Sequence, residues 1–130
     1  MDLELLAGIF PQIWCRLTSA FPEIWTPDNP AFGQCLGTAK IVQQYLGGEI
    51  VHMHYKPLRF NHFFNRLNNG LMVDLTSSQF SEPITHVPAR IMSSSYFELL
   101  GRLYPEVAVR YNLLEARFNL VLDQINLKPS

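Results

Sequence analysis

Cys35 is the residue of this chain whose type and position best suit covalent chemistry. It follows Gly33-Gln34 and opens a stretch in which Cys35, Ala39, Val42 and Leu46 repeat at i, i+4, i+7 and i+11, the spacing of one helix face. A helix N-terminus presents unpaired N–H groups and a partial positive charge. Both favour a thiolate, the nucleophilic form of the side chain. The same N–H groups can hold an oxyanion developing on an attacked carbonyl. Gln34 offers a further side-chain donor, and Gly33 lets the backbone approach a substrate closely. A thiol nucleophile wants a base, and the base wants an orienting group. His62 lies 27 residues beyond Cys35, and Asp74 lies 12 beyond His62.

Whether His62 and Asp74 meet depends on a turn. Phe60 to Leu67 and Leu71 to Thr76 read as strands around Asn68-Asn69-Gly70, a hairpin signal. Side chains alternate faces along a strand, so register decides who shares a face. With a three-residue loop, Leu67 faces Leu71, His62 opposes Thr76 and Asp74 opposes Phe64. His62 and Asp74 are then diagonal neighbours on one face. If only Asn69-Gly70 turned, Asp74 would point to the other face and the pair would fail. The three-residue loop requires a type I turn with Gly70 in the left-handed conformation.

The remaining elements must hold these residues. Asp2 can cap a helix carrying Leu5, Leu6, Ile9 and Phe10; Pro11 sits where a helix can restart, with Ile13, Trp14, Leu17 and Ala20 as its stripe. Pro22, Pro27 and Pro30 forbid regular structure from about Phe21 to Gly33. Gly47-Gly48 stops the Cys35 helix. Ile50 to Tyr55 reads as a strand with His52 and His54 on one face. Ser95-x-x-Glu98 is a capping box for a helix to about Leu103, and Pro105 can open the next. Val107, Tyr111, Leu114, Phe118, Val121 and Ile125 then share one face. Helices, an antiparallel sheet and helices again make an α+β chain.

Several of these stretches together resemble a known family. They are Asn29-Pro-x-Phe-Gly-Gln-Cys35, Gly47-Gly48-Glu49-Ile50, His62-x-x-Asn65-Arg66-Leu67 and Val73-Asp74-Leu75-Thr76-x-x-Gln79-Phe80. In this order they look like the YunG-like family of small uncharacterised bacterial proteins. More distantly, a cysteine opening a helix, a histidine on one strand and an aspartate on the next resemble the transglutaminase-like and papain-like thiol enzymes. That resemblance implies Cys35 as nucleophile, His62 as general base and acid, Asp74 as its orienter, and acyl chemistry through a thioester. The chain is short for that class and lacks the substrate-binding additions of its longer members.

Bland readings stand beside these. A lone Cys near a helix start is more often core than catalyst, and Cys15, beside Trp14, reads as packing. His62 alone would be a satisfied strand histidine; its case rests on Asp74, a carboxylate that is costly to bury without a partner. Asp74 could instead anchor a loop. Gln79 and Thr76 either hold the strand exit or line a pocket. Asn65-Arg66 either binds a substrate carboxylate or lies exposed. His52 and His54, with His62 and Cys35, would make an imaginable zinc site, but surface histidines on an edge strand are preferred. His86 lies in a Pro-bounded loop and says little. Trp14, Trp25, Phe32, Phe60, Phe63 and Phe64 should be mostly core, with a few lining an apolar cleft.

Composition narrows the classes further. The chain has 130 residues, enough for one domain spanning 1–130. Apolar residues make up 48% and charged residues 16%, against a usual share of about 25%, which excludes a disordered chain. Ten basic and eleven acidic residues leave no basic stripe for nucleic acid. Two cysteines cannot make a disulfide framework. The start, Met1-Asp2-Leu3-Glu4, carries no positive leader, and no apolar run approaches the ~20 residues of a membrane helix. A cytoplasmic setting, where thiols stay reduced, is expected.

The expectation is an α+β fold: the Cys35 helix on a small antiparallel sheet, a papain/transglutaminase-like core, and C-terminal helices. The expected function is a thiol-dependent hydrolase or acyltransferase with a Cys35–His62–Asp74 triad. Gly33, Gln34, Asn65 and Gln79 would bind oxyanion or substrate, without cofactor or metal. A peptide or small acyl compound would be the substrate. The rival is a non-catalytic peptide- or small-molecule-binding module on the same fold.

Overall fold

Leu3–Ile13 forms helix α1, capped by the Asp2 carboxylate, which accepts from the Leu5 N–H at 2.8 Å. This is a computed structural model that describes residues 1–55 and 60–127, without the side chains of Phe60 and Leu127. Whether Phe60 lines a cleft therefore lies outside the described residues. Pro11 falls inside the last turn of α1 and does not restart a helix. The chain leaves the helix after Ile13, and a single turn of 3₁₀ helix, Arg16–Thr18, follows. Thr18 explains the break: its hydroxyl accepts the Cys15 N–H and donates to the Cys15 carbonyl, each at 3.0 Å. Leu17 and Ala20, expected on a buried stripe, are exposed.

Helix α2, Cys35–Leu46, begins and ends as the sequence implies, and the Gly47 N–H closes it on the Gln43 carbonyl. Strand β1, Glu49–Tyr55, pairs antiparallel with β2, Phe60–Arg66. β3 is only Met72–Val73. It pairs with β2 as Asn65 opposite Val73 and Arg66 opposite Met72, the register of the three-residue loop. Gly70, at φ +86°, supplies the left-handed turn residue, and its N–H donates to the Leu67 carbonyl. The expected strand to Thr76 is cut short because the Asp74 carboxylate accepts the Thr76 N–H and hydroxyl, folding the chain into a turn.

A short β4, Arg90–Met92, which the sequence does not signal, joins the free side of β1 and gives the sheet order β3-β2-β1-β4. Helix α3, Ser94–Leu103, is capped by Ser93, whose hydroxyl accepts the Tyr96 N–H. The expected capping box at Ser95 does not form; the cap lies two residues earlier, with Tyr96 rather than an acidic residue at its third position. Pro105 opens α4, Pro105–Leu127. The architecture is α+β, with four α-helices and one four-stranded antiparallel sheet among the described residues.

The layers follow from burial. Leu6, Ile9, Phe10 and Ile13 of α1 pack with Ile41 and Val42 of α2 and with Leu114 and Phe118 of α4. The other side of α2 covers one sheet face through Ala39 and Leu36 against Ile50 and Phe63. Val51, Met53 and Phe64 face the opposite side, where Phe80 and His86 from the segment after β3 lie against His62 and Phe64. Among the described residues no helix is long and apolar enough to cross a membrane.

Candidate active site

The loop entering α2 is pinned before Cys35 is reached. Ser19 donates to the Phe32 carbonyl at 2.8 Å, and the Ala20 N–H donates to the Gly33 carbonyl at 2.9 Å. Gly33 has φ +75°, and a Cβ there would lie 2.3 Å from the Ser19 hydroxyl, so the approach admits no side chain. Its N–H donates to Gln79 Oε1 at 3.3 Å. Cys35 is consequently the first residue of α2, a free thiol only 8% exposed. Its Sγ lies 4.0 Å from the carbonyl oxygen of Asn61 on β2. β3 ends at Val73, so its pairing stops at Asn65, and among the described residues no strand pairs with the Asn61–His62 stretch of β2 on that side. The N-terminus of α2 comes to this strip.

His62 is completely buried, and its Nε2 lies 2.6 Å from Asp74 Oδ2. A carboxylate only accepts, so Nε2 carries the proton. Nδ1 is buried, has no nitrogen or oxygen partner among the described residues, and is the ring nitrogen left for the Cys35 thiol. Burial alone would lower the His62 pKa. The Asp74 hydrogen bond, then the hydrogen bonding and charge of Cys35, outweigh it and raise the value from an ordinary 6.5 to about 9. Burial works to raise the Asp74 pKa, but the hydrogen bonds and charges of His62 and His86 hold it below the usual carboxylate range. His86 is the addition that sequence reasoning missed: its Nε2 donates to the same Oδ2 at 2.7 Å. His62, Asp74 and His86 bring one ligand-type atom each to within 4.8 Å of one another, so they could also hold a metal ion.

Cys35 opens on a cavity of about 350 Å³ that Gly33 and Asn61 also line. Asn61 was not expected there. Its Oδ1 accepts from His52 Nε2 at 2.8 Å, which directs its amide nitrogen away from His52. His52 suits this role as a neutral donor, since burial leads in lowering its pKa, against the Asn61 bond and aided by the charges of Arg90 and His54.

The other expected site residues are placed elsewhere. Gln34 is buried, and its Nε2 donates to the Cys15 carbonyl at 2.9 Å rather than into the cavity. Asn65 is buried and donates to the Ala39 carbonyl at 2.9 Å, tying β2 to α2. Arg66 pairs with Glu49 at 2.6 Å. Gln79 bridges Gly33 and Thr76, so it positions the loop before Cys35. The imagined His52–His54–His62 zinc set does not form. Met53 stands opposite His62, and Phe63 opposite His52, so His62 faces the other side of the sheet. β1 is interior to the sheet and His52 is buried, so it is not an edge-strand surface histidine.

A sequence-family model described as "YunG protein" matches residues 2–123. The "Uncharacterized protein YunG" of Bacillus subtilis (strain 168) is 36% identical over 89 residues, covering 67% of this chain and 72% of that relative. No solved structure matches.

Proposed function

The chain belongs to the YunG family, and we propose that it is a thiol-dependent acyl-group hydrolase or transferase acting on an amide, ester or thioester. The observation that carries this reading is the buried His62, whose Nε2 is held by Asp74, whose Nδ1 is left over, and on which Cys35 acts as a hydrogen-bonding neighbour. The raised His62 pKa means that Nδ1 already holds the proton given up by Cys35, as an imidazolium beside the sulfur, when sulfur bonds to the substrate carbonyl carbon. The resulting oxyanion faces the first N–H groups of α2, with the Asn61 amide as a side-chain donor. Nδ1–H then protonates the leaving group as its bond to carbon breaks, giving a thioester on Cys35. Water or an acceptor nucleophile, deprotonated by Nδ1, attacks that thioester and returns the thiol. On this reading the α2–β2–β3 unit is a reduced papain/transglutaminase-like core working where thiols stay reduced. The substrate is a peptide or small acyl compound.

Site-resolved iodoacetamide labelling tests the reading. Cys35 is buried and Cys15 half-buried, so accessibility alone favours Cys15. Faster labelling of Cys35, reduced at least tenfold in a folded His62→Gln variant, is expected. Cys35 labelling no faster than Cys15, or indifferent to His62→Gln, overturns it and favours the non-catalytic binding module.

A second reading rests on the convergence of His62, Asp74 and His86. Two imidazoles and a carboxylate suit zinc at ~2.0–2.2 Å. His62 Nε2 cannot ligate a metal and keep its proton, so the readings exclude each other in one molecule. Stoichiometric zinc in freshly purified protein, lost in His86→Ala, selects the metal centre; protein that purifies without zinc and binds none when it is added overturns this second reading.

A further inference from the structure

The cavity beside Cys35 has a polarity that thiol chemistry alone does not require. Phe21, Phe63, Phe97, Val107 and Leu114 give it apolar walls. Among the described residues that line it, Arg110 of α4 is the one charged side chain. The described ion pairs are His62–Asp74, His86–Asp74 and Arg66–Glu49, and none involves Arg110. Tyr111, the other polar group on that side, is already engaged: its hydroxyl donates to Glu115 at 3.0 Å. Burial and that carboxylate raise its pKa and keep it a neutral phenol. An arginine stays charged and fits a carboxylate through two parallel N–H donors.

We infer that the cavity selects an acyl compound with an apolar body and one terminal carboxylate, which Arg110 pairs while the scissile carbonyl lies at Cys35. This rests on the thiol reading above. A single cation matches a monoanion; a phosphate dianion would call for a second positive group. About 350 Å³, roughly a dozen water volumes, holds a compound the size of one acylated apolar amino acid. Arg110 is thus a specificity residue acting at the end of the substrate away from the chemistry.

The test uses electrophilic probes of that shape on the full chain. N-chloroacetyl-phenylalanine carries the carboxylate, and N-chloroacetyl-phenylalanine amide is its neutral partner. In each, the Cys35 sulfur bonds to the methylene carbon and chloride leaves. Site-resolved mass spectrometry gives the rate at Cys35, with Cys15 as the internal reference. The acid is expected to modify Cys35 at least tenfold faster than the amide. In Arg110→Gln the two rates should converge, and Arg110→Lys should restore part of the preference. Thermal melts confirm that both variants fold. Equal rates for acid and amide in the wild type, with Cys35 still outpacing Cys15 toward iodoacetamide, overturn the carboxylate inference and leave the thiol reading standing. Iodoacetamide labelling no faster at Cys35 than at Cys15 defeats the thiol reading itself. A preference for the acid that survives in Arg110→Gln assigns the anion to another group and overturns the role of Arg110.

Discussion

Raising the pH through the His62 titration should cost this protein stability, by an amount the buried contact sets. His62 is fully buried, lies 2.6 Å from Asp74, and has its pKa raised from 6.5 to about 9. A group with a folded pKa above its unfolded value binds its proton more tightly in the folded state. Its contribution is complete below pH ~6.5, is withdrawn between ~6.5 and ~9, and is gone above that. At about 1.4 kcal/mol per pH unit, this interval corresponds to about 3 kcal/mol. That is a large share of a typical domain's ~5–15 kcal/mol. Asp74 works in the opposite sense. Its lowered pKa gives a contribution present above pH ~4 and lost as the pH falls through the depressed folded value. Stability should therefore be greatest between pH ~4 and ~6.5. Equilibrium urea unfolding followed by tryptophan fluorescence at pH 5.5, 7, 8 and 9.5 provides the measurement. Unfolded thiols also ionise near pH ~8.5, so the quantity to read is wild type minus His62→Gln. That difference should shrink by about 3 kcal/mol from pH 6 to 9.5. A constant difference would show that His62 holds no extra proton in the folded state, and the triad geometry would lose its electrostatic basis.

Three further outcomes follow from named contacts. Asn65→Ala leaves a buried strand-to-helix bond unmade, and should cost about 1–3 kcal/mol in urea unfolding while leaving the Cys35 alkylation rate unchanged; a slowed rate would restore Asn65 to the substrate site. Gly33→Ala forces a Cβ against Ser19 and Ala20, and should slow Cys35 alkylation at least tenfold, whereas an unchanged rate would mean the loop tolerates the shift. Asp74→Asn replaces the acceptor that fixes the His62 proton on Nε2, and His86→Gln removes only a second donor from it. The first should depress the Cys35 alkylation rate by orders of magnitude and the second severalfold; the reverse order would give His86 the role assigned to His62.

What was legible in the sequence was mostly local. Gly70, at the left-handed position of a three-residue loop, sets the β2–β3 register, and register is what brings Asp74 to the His62 side. Cys35 at the head of α2 was legible for the same reason: Pro-rich chain before it and helical periodicity after it. Side-chain direction was less accessible. Gln34 and Asn65 have the chemistry of substrate binders, but their amides are taken by the Cys15 and Ala39 carbonyls. Where those carbonyls stand depends on how α1, α2 and the sheet pack, which no short motif encodes. His86 was illegible because it is set by the path of residues 75–89 across the sheet face, ending where the Ala89 N–H meets the His52 carbonyl. Three successive serines, Ser93, Ser94 and Ser95, each have the right side chain to cap α3. The end of β4 at Met92 selects the first.

Asp74 and Cys35 then differ in a way that governs how this site is to be dissected. Asp74 Oδ2 receives two imidazole N–H groups, and Oδ1 receives the Thr76 N–H and hydroxyl. Four donors fill the sites a carboxylate offers. The charge can therefore be buried, and the same bonds hold the turn after β3 and the His86 segment against the sheet. At Asp74, fixing a tautomer and fixing a fold are one set of interactions, and loss of reactivity in its variants comes mixed with loss of structure. Cys35 is different. Its polar contacts are a 4.0 Å approach to the Asn61 carbonyl and the interaction with His62, its sulfur borders a cavity, and Leu36 and Ala39 of α2 make the apolar contacts with the sheet. Removing it takes away the proposed nucleophile and leaves the hydrogen bonds of Asp74 in place. Cys35→Ala is thus the substitution whose effect on chemistry needs less correction for folding than one at Asp74, and His62 becomes interpretable once it is measured beside it.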